Sequence, residues 1–553
     1  MGDRRSDSLF KRFENLEAER RQFEATWQKI ADHELGRRNF TSHPTVGGSR
    51  RDVDLYDTTA QQMASLLASG LHSLLTNPAT EWFHIKPMNE EMLQNHDVAG
   101  WFEQVELVMR GAFNLPKARF SSQVHEAYID LVSFGTAGLY VGDEPGYDRV
   151  LFSARPLNEL YVSEDPAGNI DTVFRKFQYS HRQAVKKWGS KAPEMCQKAM
   201  ETGATSEEKH EFLHLVMPAD EPIKIPFSNT PMPFASTYMD YETKKIIDEG
   251  GFHELPYMVA RWEKDAGETY GRGPGWNALA DAKMSSTMKK TAVQAGQMAV
   301  RPPVMTEDDG VATQLDLRPG GRNVVRASGV LNPPIQPIDF RPRMDIGVEL
   351  IRDTRKQVQE AFLWELLQLI RDPRMTATQV LEISANVQRV LSPILGRIQT
   401  ELLEPIIERV YAIMLRRGMF PDPPRELEGQ EFMIEYVSPV ARAQRQSDTQ
   451  AIVDLYTFST NLSQVDPSVL DVLNSEEALR FMAQQRGVPI SVLRSRDEVG
   501  QMRQAQAAAE AEAQRKQDAI AAVDAAAKLA PAMDSMAGLE GTVPPGGGGG
   551  VPV

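Results

Sequence analysis

The sequence predicts a mostly helical α+β protein, and three observations predict it. Between Met375 and Leu415 apolar residues return every three or four positions, through Val380, Ile383, Val387, Val390, Leu391, Ile394, Leu395, Ile398, Leu402, Leu403, Ile406, Ile407, Val410, Ile413 and Met414. That is helical periodicity with one wide face built for burial. From Leu151 to Trp262 the character changes to short alternating segments, LNELYVSE, IDTVFRKFQYS, HEFLHLVMP and LPYMVARWEK, which read as an antiparallel sheet. Finally, two helical stretches, Trp276 to Val300 and Met344 to Ile370, bracket an insert rich in Gly, Pro, Asp and Arg.

A chain of 553 residues can bury several cores and divides into two or more domains. The formal charge of −15 argues against a protein that wraps nucleic acid through a basic surface, though it permits an acidic ring around a duplex. The single cysteine, Cys196, rules out an internal disulfide framework and fits a reducing compartment. No run of 18 or more apolar residues is present, so no membrane span is expected. MGDRRSDSLFKRFE is too charged for a secretory signal. It carries Met1-Gly2 with Ser6, a myristoylation pattern loose enough to arise by chance.

Taken in order, Leu9, Phe13, Leu16, Phe23, Trp27 and Ile30 stripe a first helix from Ser8 to Leu35, read as packed on its own subunit or on a neighbour. A polar, glycine-containing loop follows. Asp57 or Thr58 can cap the next helix, with Gln61 in the capping-box position, and Asn77-Pro78 ends it after Leu75. Trp82, Phe83 and Ile85 read as extended, and two further helices run from Glu90 to Leu115 and from Ser121 to Val132. Gly135-Thr136-Ala137-Gly138 leads into strand-like Leu139-Tyr140-Val141; such small residues permit a tight turn or close packing. A phosphate cradle there lacks the lysine-serine/threonine ending. Within the sheet region a helix is expected from Ser180 to Trp188.

One chemical motif lies in that sheet region. His210-Glu211-Phe212-Leu213-His214 matches HExxH, which on a helix places two imidazoles on one face for zinc, with Glu211 as general base. The β-favouring residues and Pro218 instead predict a strand, on which the two histidines stand roughly 13 Å apart, too far to share one ion. No GxxxxGK[ST], GxSxG or CxxC is present, so neither catalytic nor cofactor-binding residues are assigned.

GRGPG, Gly271 to Gly275, is a tight turn without the spacing of a phosphate loop. The two helices that follow, each about 37 Å long at about 1.5 Å per residue, make either a stalk with a small head or an ordinary hairpin inside a domain. Short strands are expected at Ala312 to Leu317 and Asn323 to Val325 in the insert. In the Met375 to Leu415 run, Pro393 and Pro405 should bend or divide the helix, and Gly418 with Pro421, Pro423 and Pro424 stops it. Extended Phe432 to Val437 leads to helices near Arg442 to Thr460, Pro467 to Leu473, Glu476 to Arg486 and Pro489 to Leu493. An alanine-rich polar helix from Asp497 to Leu529 buries little, and the Gly/Pro tail is expected to be disordered.

Four segments carry a family resemblance. MTATQVLE with LSPILGRIQTELLEPIIERVYAIMLRRG resembles the helical region of the head-to-tail connecting (portal) proteins of T7-like short-tailed bacteriophages. DTTAQQMASLLASGLHSLLTNPATEWFHI, ETYGRGPGWNALADAKMSS and IEYVSPVARAQR agree with it, in order, over most of the chain. The resemblance implies a non-enzymatic subunit with wing, two-helix stem, clip and helical crown, assembled as a ring of twelve at one capsid vertex. On the chain it places the wing at 1–270, stem helices at 271–301 and 344–370, the clip at 302–343, a channel loop and wing helices at 371–440, and the crown at 441–530 before the tail at 531–553.

What the resemblance implies for function is a conduit. Double-stranded DNA enters through the channel during packaging and leaves during ejection. Large terminase and then tail adaptor proteins dock on the clip, and major capsid, scaffolding and internal core proteins are further partners. The location implied is the head-tail vertex of the virion, and host cytoplasm during assembly. Under that reading a mainly acidic wall with a few basic residues centres the duplex while each contact stays weak. Lys283, Lys289, Lys290, Arg352, Arg355 and Lys356 on the stem, and Arg371 and Arg374 near the loop, are the candidate DNA contacts, or else intersubunit ion pairs. The alternatives are a capsid or tail scaffold of another family and, more distantly, a zinc hydrolase at His210, Glu211 and His214.

Overall fold

The computed structural model describes residues 2–35, 55–143, 149–203, 207–223, 232–308, 316–326, 335–338, 344–365, 389–427, 432–437, 439–463, 466, 469, 472–485, 488 and 492–537. The motif MTATQVLE and the candidates Arg371 and Arg374 lie outside them, as do residues 538–553 of the tail. The chain forms two compact units. One comprises Met1–Met88, Gln104–Asp422 and Gln430–Ser447, and the other Asn89–Glu103, Pro423–Gly429 and Asp448–Val553.

The larger unit opens with α1 (Gly2–Ile30), which passes into a π turn at Ala31–Leu35. Helices α2 (Thr59–Leu75), α3 (His96–Asn114) and α4 (Phe120–Phe134) follow, with strand β1 (Phe83–Pro87) between the first two. The single helix expected from Glu90 is split, because a 3-10 turn at Glu90–Gln94 ends at extended Asn95. Next come β2 (Thr136–Gly142), β3 (Leu151–Arg155), β4 (Leu160–Glu164) and β5 (Ile170–Ser180). Helices α5 (His181–Trp188) and α6 (Glu194–Thr202) precede β6 (Lys209–Ile223), β7 (Met232–Asp240), β8 (Ile246–Phe252) and β9 (Tyr257–Arg261). β4 to β8 form a five-stranded antiparallel meander, and β3-β2-β9 a separate antiparallel sheet.

The first helix packs on its own sheet because its stripe has somewhere to go. Leu9, Phe10, Phe13 and Leu16 meet Tyr161, Phe174, Leu213, Leu215 and Met239 of the meander. Trp27 and Ile30 join a second cluster with Leu160, Val173, Tyr257 and Tyr270. Arg20, 3% exposed, donates to the carbonyls of Asn158 at 2.9 Å and Leu160 at 2.8 Å and lies 3.7 Å over the Tyr161 ring. A buried guanidinium is tolerable only when its donors are met this fully.

The two glycine segments singled out in the sequence turn out to face each other. Gly135 ends α4 with φ of 84°, and a Cβ there would lie 2.4 Å from the Arg272 carbonyl carbon. At Gly273 a Cβ would lie 2.7 Å from the Val132 carbonyl oxygen. GTAG and GRGPG are therefore a backbone-to-backbone crossing, which fixes where the following helix starts.

That helix is α7 (Pro274–Val300), with proline at its first turn where no amide is needed. Strands β10 (Val304–Asp308), β11 (Arg322–Arg326) and β12 (Ile335–Pro337) form a three-stranded sheet in the order β11-β10-β12. The strand expected at Asn323 to Val325 is part of β11. Of the one expected at Ala312 to Leu317, Asp316 and Leu317 are not in a strand and the rest lies outside the described residues. Helix α8 (Met344–Ala361) then returns against α7. It is shorter than the helix expected to Ile370, because Leu363 adopts φ of 55° and breaks the ladder. A left-handed leucine costs about 1–2 kcal/mol and has no sequence signature.

α9, over residues 389–398, passes through Pro393 into a π turn at Gln399–Leu403 and then α10 (Glu404–Arg416). The run is thus continuous in hydrogen-bonded turns, but it changes from α through π back to α just before Pro405. The wider turn just before the proline removes the clash with the carbonyl one turn back, the usual role of such a bulge. Leu391, Leu395, Ile398, Leu402, Ile406, Val410 and Ile413 of the predicted face are buried, whereas Val390, at the start of α9, is 57% exposed, and Val380, Ile383 and Val387 lie outside the described residues. β13 (Phe432–Tyr436) pairs antiparallel with β1, joining two distant extended segments.

The last helices are α11 (Pro439–Leu462), α12 (Ser475–Gln485) and α13 (Arg496–Ala537). Within the smaller unit Glu476 receives Arg480 at 3.0 Å and Arg503 at 3.0 Å, and Glu477 receives Arg496 at 2.8 Å. The described side chains of α13 are almost all exposed.

Candidate channel helices and their anchor

After Pro274, α7 fully buries only small residues over its first half: Gly275, Ala278, Ala282, Ser285 and Ser286. Small side chains let a neighbouring backbone approach closely, and here α2, α4 and α8 all do so. Beyond Ser286 no residue of α7 is buried; Val293 is 44% and Val300 89% exposed. On α8, Val348 and Leu350 are likewise exposed, at 46% and 47%. The paired helices thus leave these apolar side chains partly exposed, and Val300 almost fully so.

A single carboxylate ties this pair to the rest of the unit. Asp57 accepts from the Thr59 amide at 3.2 Å, which makes it, rather than Thr58, the residue that caps α2. It also accepts from the Ser285 hydroxyl on α7 and from Arg355 Nε on α8 at 2.8 Å. The neighbouring Tyr56 amide donates to Ser286 at 3.0 Å. Burial opposes ionisation of Asp57, but the bonds from Arg355, Ser285 and Thr59 outweigh it and hold the carboxyl well below the usual carboxylate range. Sequence reasoning saw Asp57 only as a cap, because the partners are 228 and 298 residues away.

The eight basic candidates fall into different settings. Arg355 is committed to Asp57 in its own chain. Lys283, Arg352 and Lys356 are exposed, the last 3.5 Å from Glu360 one turn along. Lys289 and Lys290 are half-buried, and Lys290 lies 5.5 Å over the Tyr56 ring. The structure brings these six onto two adjacent helices; Arg371 and Arg374 remain outside the described residues.

HExxH lies on β6 as a strand. His210 Nε2 is 2.7 Å from Asp240 Oδ1, while His214 is 2.7 Å from the Tyr257 hydroxyl, 3.0 Å from the Ser236 hydroxyl and stacked on Tyr238 at 4.0 Å. The hydrogen bond that His210 donates to Asp240 raises the His210 pKa, whereas burial pushes that of His214 well below its ordinary value. Each imidazole is a sheet component with its own partners. Among the described residues no three His, Cys, Asp or Glu side chains are arranged to hold a metal ion. Cys196 is buried beside His181, and burial pushes its thiol up to about 11.

Comparison with known proteins decides the family. The model of the bacteriophage head to tail connecting proteins matches residues 6–493. The chain belongs to that family. It shares 28% identity over 524 residues with the portal protein of Salmonella phage epsilon15, covering 92% of each chain. With the probable portal protein of Bordetella phage BPP-1 it shares 26% over 531 residues, covering 94% of each. A solved neck of an empty GTA particle overlays with a TM-score of 0.36 and 11% identity, covering 74% of this chain and 91% of that one, a likeness too distant to bear on the fold. As a head-to-tail connecting protein the chain is structural and non-catalytic, in keeping with the strand geometry of its one enzyme-like motif. No helix among the described residues is long and apolar enough to cross a membrane.

Proposed function

We propose that this chain is one subunit of a portal ring at the head-tail vertex of a virion, through which double-stranded DNA enters during packaging and leaves during ejection. One observation carries the reading: α7 and α8 stand side by side, joined through a compact three-stranded sheet, with Val293, Val300, Val348 and Leu350 uncovered. At about 1.5 Å per residue, α7 is about 40 Å long. Isolated exposed aliphatics are ordinary, but a run of them along paired helices calls for a lateral neighbour. Repeating the pair around an axis buries those residues and lines a passage.

In this reading α7 and α8 are the stem, the sheet of β10 to β12 belongs to the clip that receives large terminase and later tail adaptor proteins, and the C-terminal helices from 441 form the crown. Major capsid, scaffolding and internal core proteins contact the outer parts, and assembly takes place in host cytoplasm. The net charge of −15 keeps the duplex from adhering to the wall. Lys283, Lys289, Lys290, Arg352 and Lys356 on the stem, with Arg371 and Arg374, supply the sparse cationic contacts. Each phosphate neutralised by a fixed cation steepens the salt dependence of binding, so few contacts mean little drag. Arg355 serves the stem differently, by holding Asp57.

Negative-stain images of the purified full chain test this. Rings with an open axis, twelvefold by family resemblance, are expected. Particles closed at the axis, or a stable monomer at micromolar concentration, would overturn it. Given rings, replacing Arg371 and Arg374 by alanine should leave assembly intact and alter packaging or DNA retention.

A further inference from the structure

The π turn that ends α1 carries a buried acid for which the conduit role has no use. Glu34 is fully buried, and neither carboxyl oxygen has a hydrogen-bond partner. The carboxyl presses on the second residue of α7: a Cβ at Gly275 would lie 2.4 Å from Glu34 Oε2 and 2.4 Å from the Ser133 carbonyl oxygen of α4. Gly273, which precedes α7, offers no side-chain cap; Pro274 has no amide hydrogen and the Trp276 amide donates to the Gly273 carbonyl at 3.0 Å, which leaves the Gly275 amide at this junction. The junction is otherwise tight. Trp27 of α1 and Trp276 of α7 both donate their indole N–H to the Phe134 carbonyl at the end of α4, at 3.2 Å and 2.8 Å.

An uncharged carboxyl can be held in such a place; a carboxylate without partners cannot. Burial drives the Glu34 pKa well above the ordinary range and is the sole cause. The elements packed against its turn are α1, α2, α4 and α7. Their nearby ionisable groups are Lys29, His72, Asp130 and Lys283, with Asp32 and His33 on the turn itself. None of them contributes to the shift. His72 is occupied by Thr76 and Ser121, and Lys283 acts on His33, whose pKa burial and Lys283 both lower.

We propose that Glu34 is a proton-operated latch between the N-terminal helix and α7. With the proton on, the turn seats against Gly275 and Ser133. With the proton off, the carboxylate draws in water or turns to the Gly275 amide, and the contact between α1 and α7 opens. The device is independent of the conduit reading, because it acts within one subunit.

The sign follows from linkage. The folded state keeps the proton to higher pH than the unfolded chain, so the latch is fully seated below the unfolded glutamate pKa and weakens as pH rises toward the folded one. One proton changes the opening equilibrium by up to about tenfold per pH unit in that window. Hydrogen exchange of the full chain, read by mass spectrometry on peptides covering 27–35 and 273–279 and corrected for intrinsic rates, measures this from about pH 6 to about pH 8. Wild type should lose protection with pH, and E34Q should be flat. Equal slopes in the two, or no slope in wild type, would overturn the latch. Infrared spectra give a readout that does not depend on how the variant folds: wild type at neutral pH should show the band of a protonated, unbonded carboxyl. Its absence would equally overturn the proposal.

Discussion

The sheet-bearing part of the larger unit and the outer half of its paired helices use opposite chemistry. Around the meander, large aromatics are buried and the three most buried arginines among the described residues are met: Arg20 by three carbonyls and Glu24, Arg409 by the Val141 carbonyl at 2.9 Å and Glu254 at 3.0 Å, and Arg261 by Glu401 at 2.7 Å and by Glu164. Past Ser286, α7 instead offers alanine, glycine and uncovered aliphatics. The first region completes itself within one chain, while under the proposed ring the second is completed by another copy. The difference separates substitutions that should unfold a subunit from those that should only keep subunits apart.

The largest effect on the subunit is expected at Arg409. It is 2% exposed and spans from α10 to the Val141 carbonyl of β2 and to Glu254. Arg409→Ala leaves the Val141 carbonyl without that donor and a cavity where the guanidinium lay, although Glu254 keeps Arg416, and together these cost about 3–5 kcal/mol. Urea unfolding of the full chain should show the midpoint fall; a change under about 1 kcal/mol would mean that water replaces the guanidinium freely.

Asp57→Ala comes next and probes the seam between the two regions. It removes the acceptor shared by α2, α7 and α8, for about 2–3 kcal/mol, less than at Arg409 because Arg355 is 36% exposed and regains water. Protection from hydrogen exchange should drop at both Ser285 and Arg355. If it drops at one helix only, the carboxylate is not the common anchor.

How much of this was legible beforehand depends on distance along the chain. The buried face from Leu391 to Met414, the strand state of HEFLHLVM and the helix expected from Ser180 to Trp188 are local matters of spacing and residue preference, and all were readable. Asp57 and Glu401 were not, since a carboxylate's partner 298 or 140 residues away leaves no periodic trace. The left-handed Leu363 and the π turn before Pro405 were invisible for another reason. Each is a backbone state imposed by packing against residue preference. The candidate channel cations sit between these cases: their helices were readable, but which way each faces in an assembly belongs to more than one chain.

A smaller effect is expected from the His210 and Asp240 pair in the meander. Asp240 also accepts from Thr243 at 2.7 Å, and these bonds outweigh its burial and hold its pKa down. His210 is raised, so its share of stability is complete below its unfolded pKa of about 6.5 and is lost as pH rises through the folded one. Asp240's share is present above its unfolded pKa and lost as pH falls through its depressed one. Asp240→Asn should therefore cost about 1–2 kcal/mol near neutrality and flatten the decline of stability above about pH 6.5. An unchanged slope would assign the pH dependence to another group.

The smallest effect on the subunit is the one that sharpens the comparison most. Val293→Glu and Val300→Glu place charge on residues already 44% and 89% exposed, where substitutions shift stability by about 0.5 kcal/mol or less. The same charges, repeated on every copy around a ring, would be desolvated against a neighbour and cost far more there. Unfolding curves should superimpose on wild type while size-exclusion profiles move from ring to monomer, more so at low salt, where repulsion between like charges is less screened. If both variants still form rings, those aliphatics face the passage or solvent rather than the next subunit, and the uncovered half of α7 owes its composition to what moves through the ring.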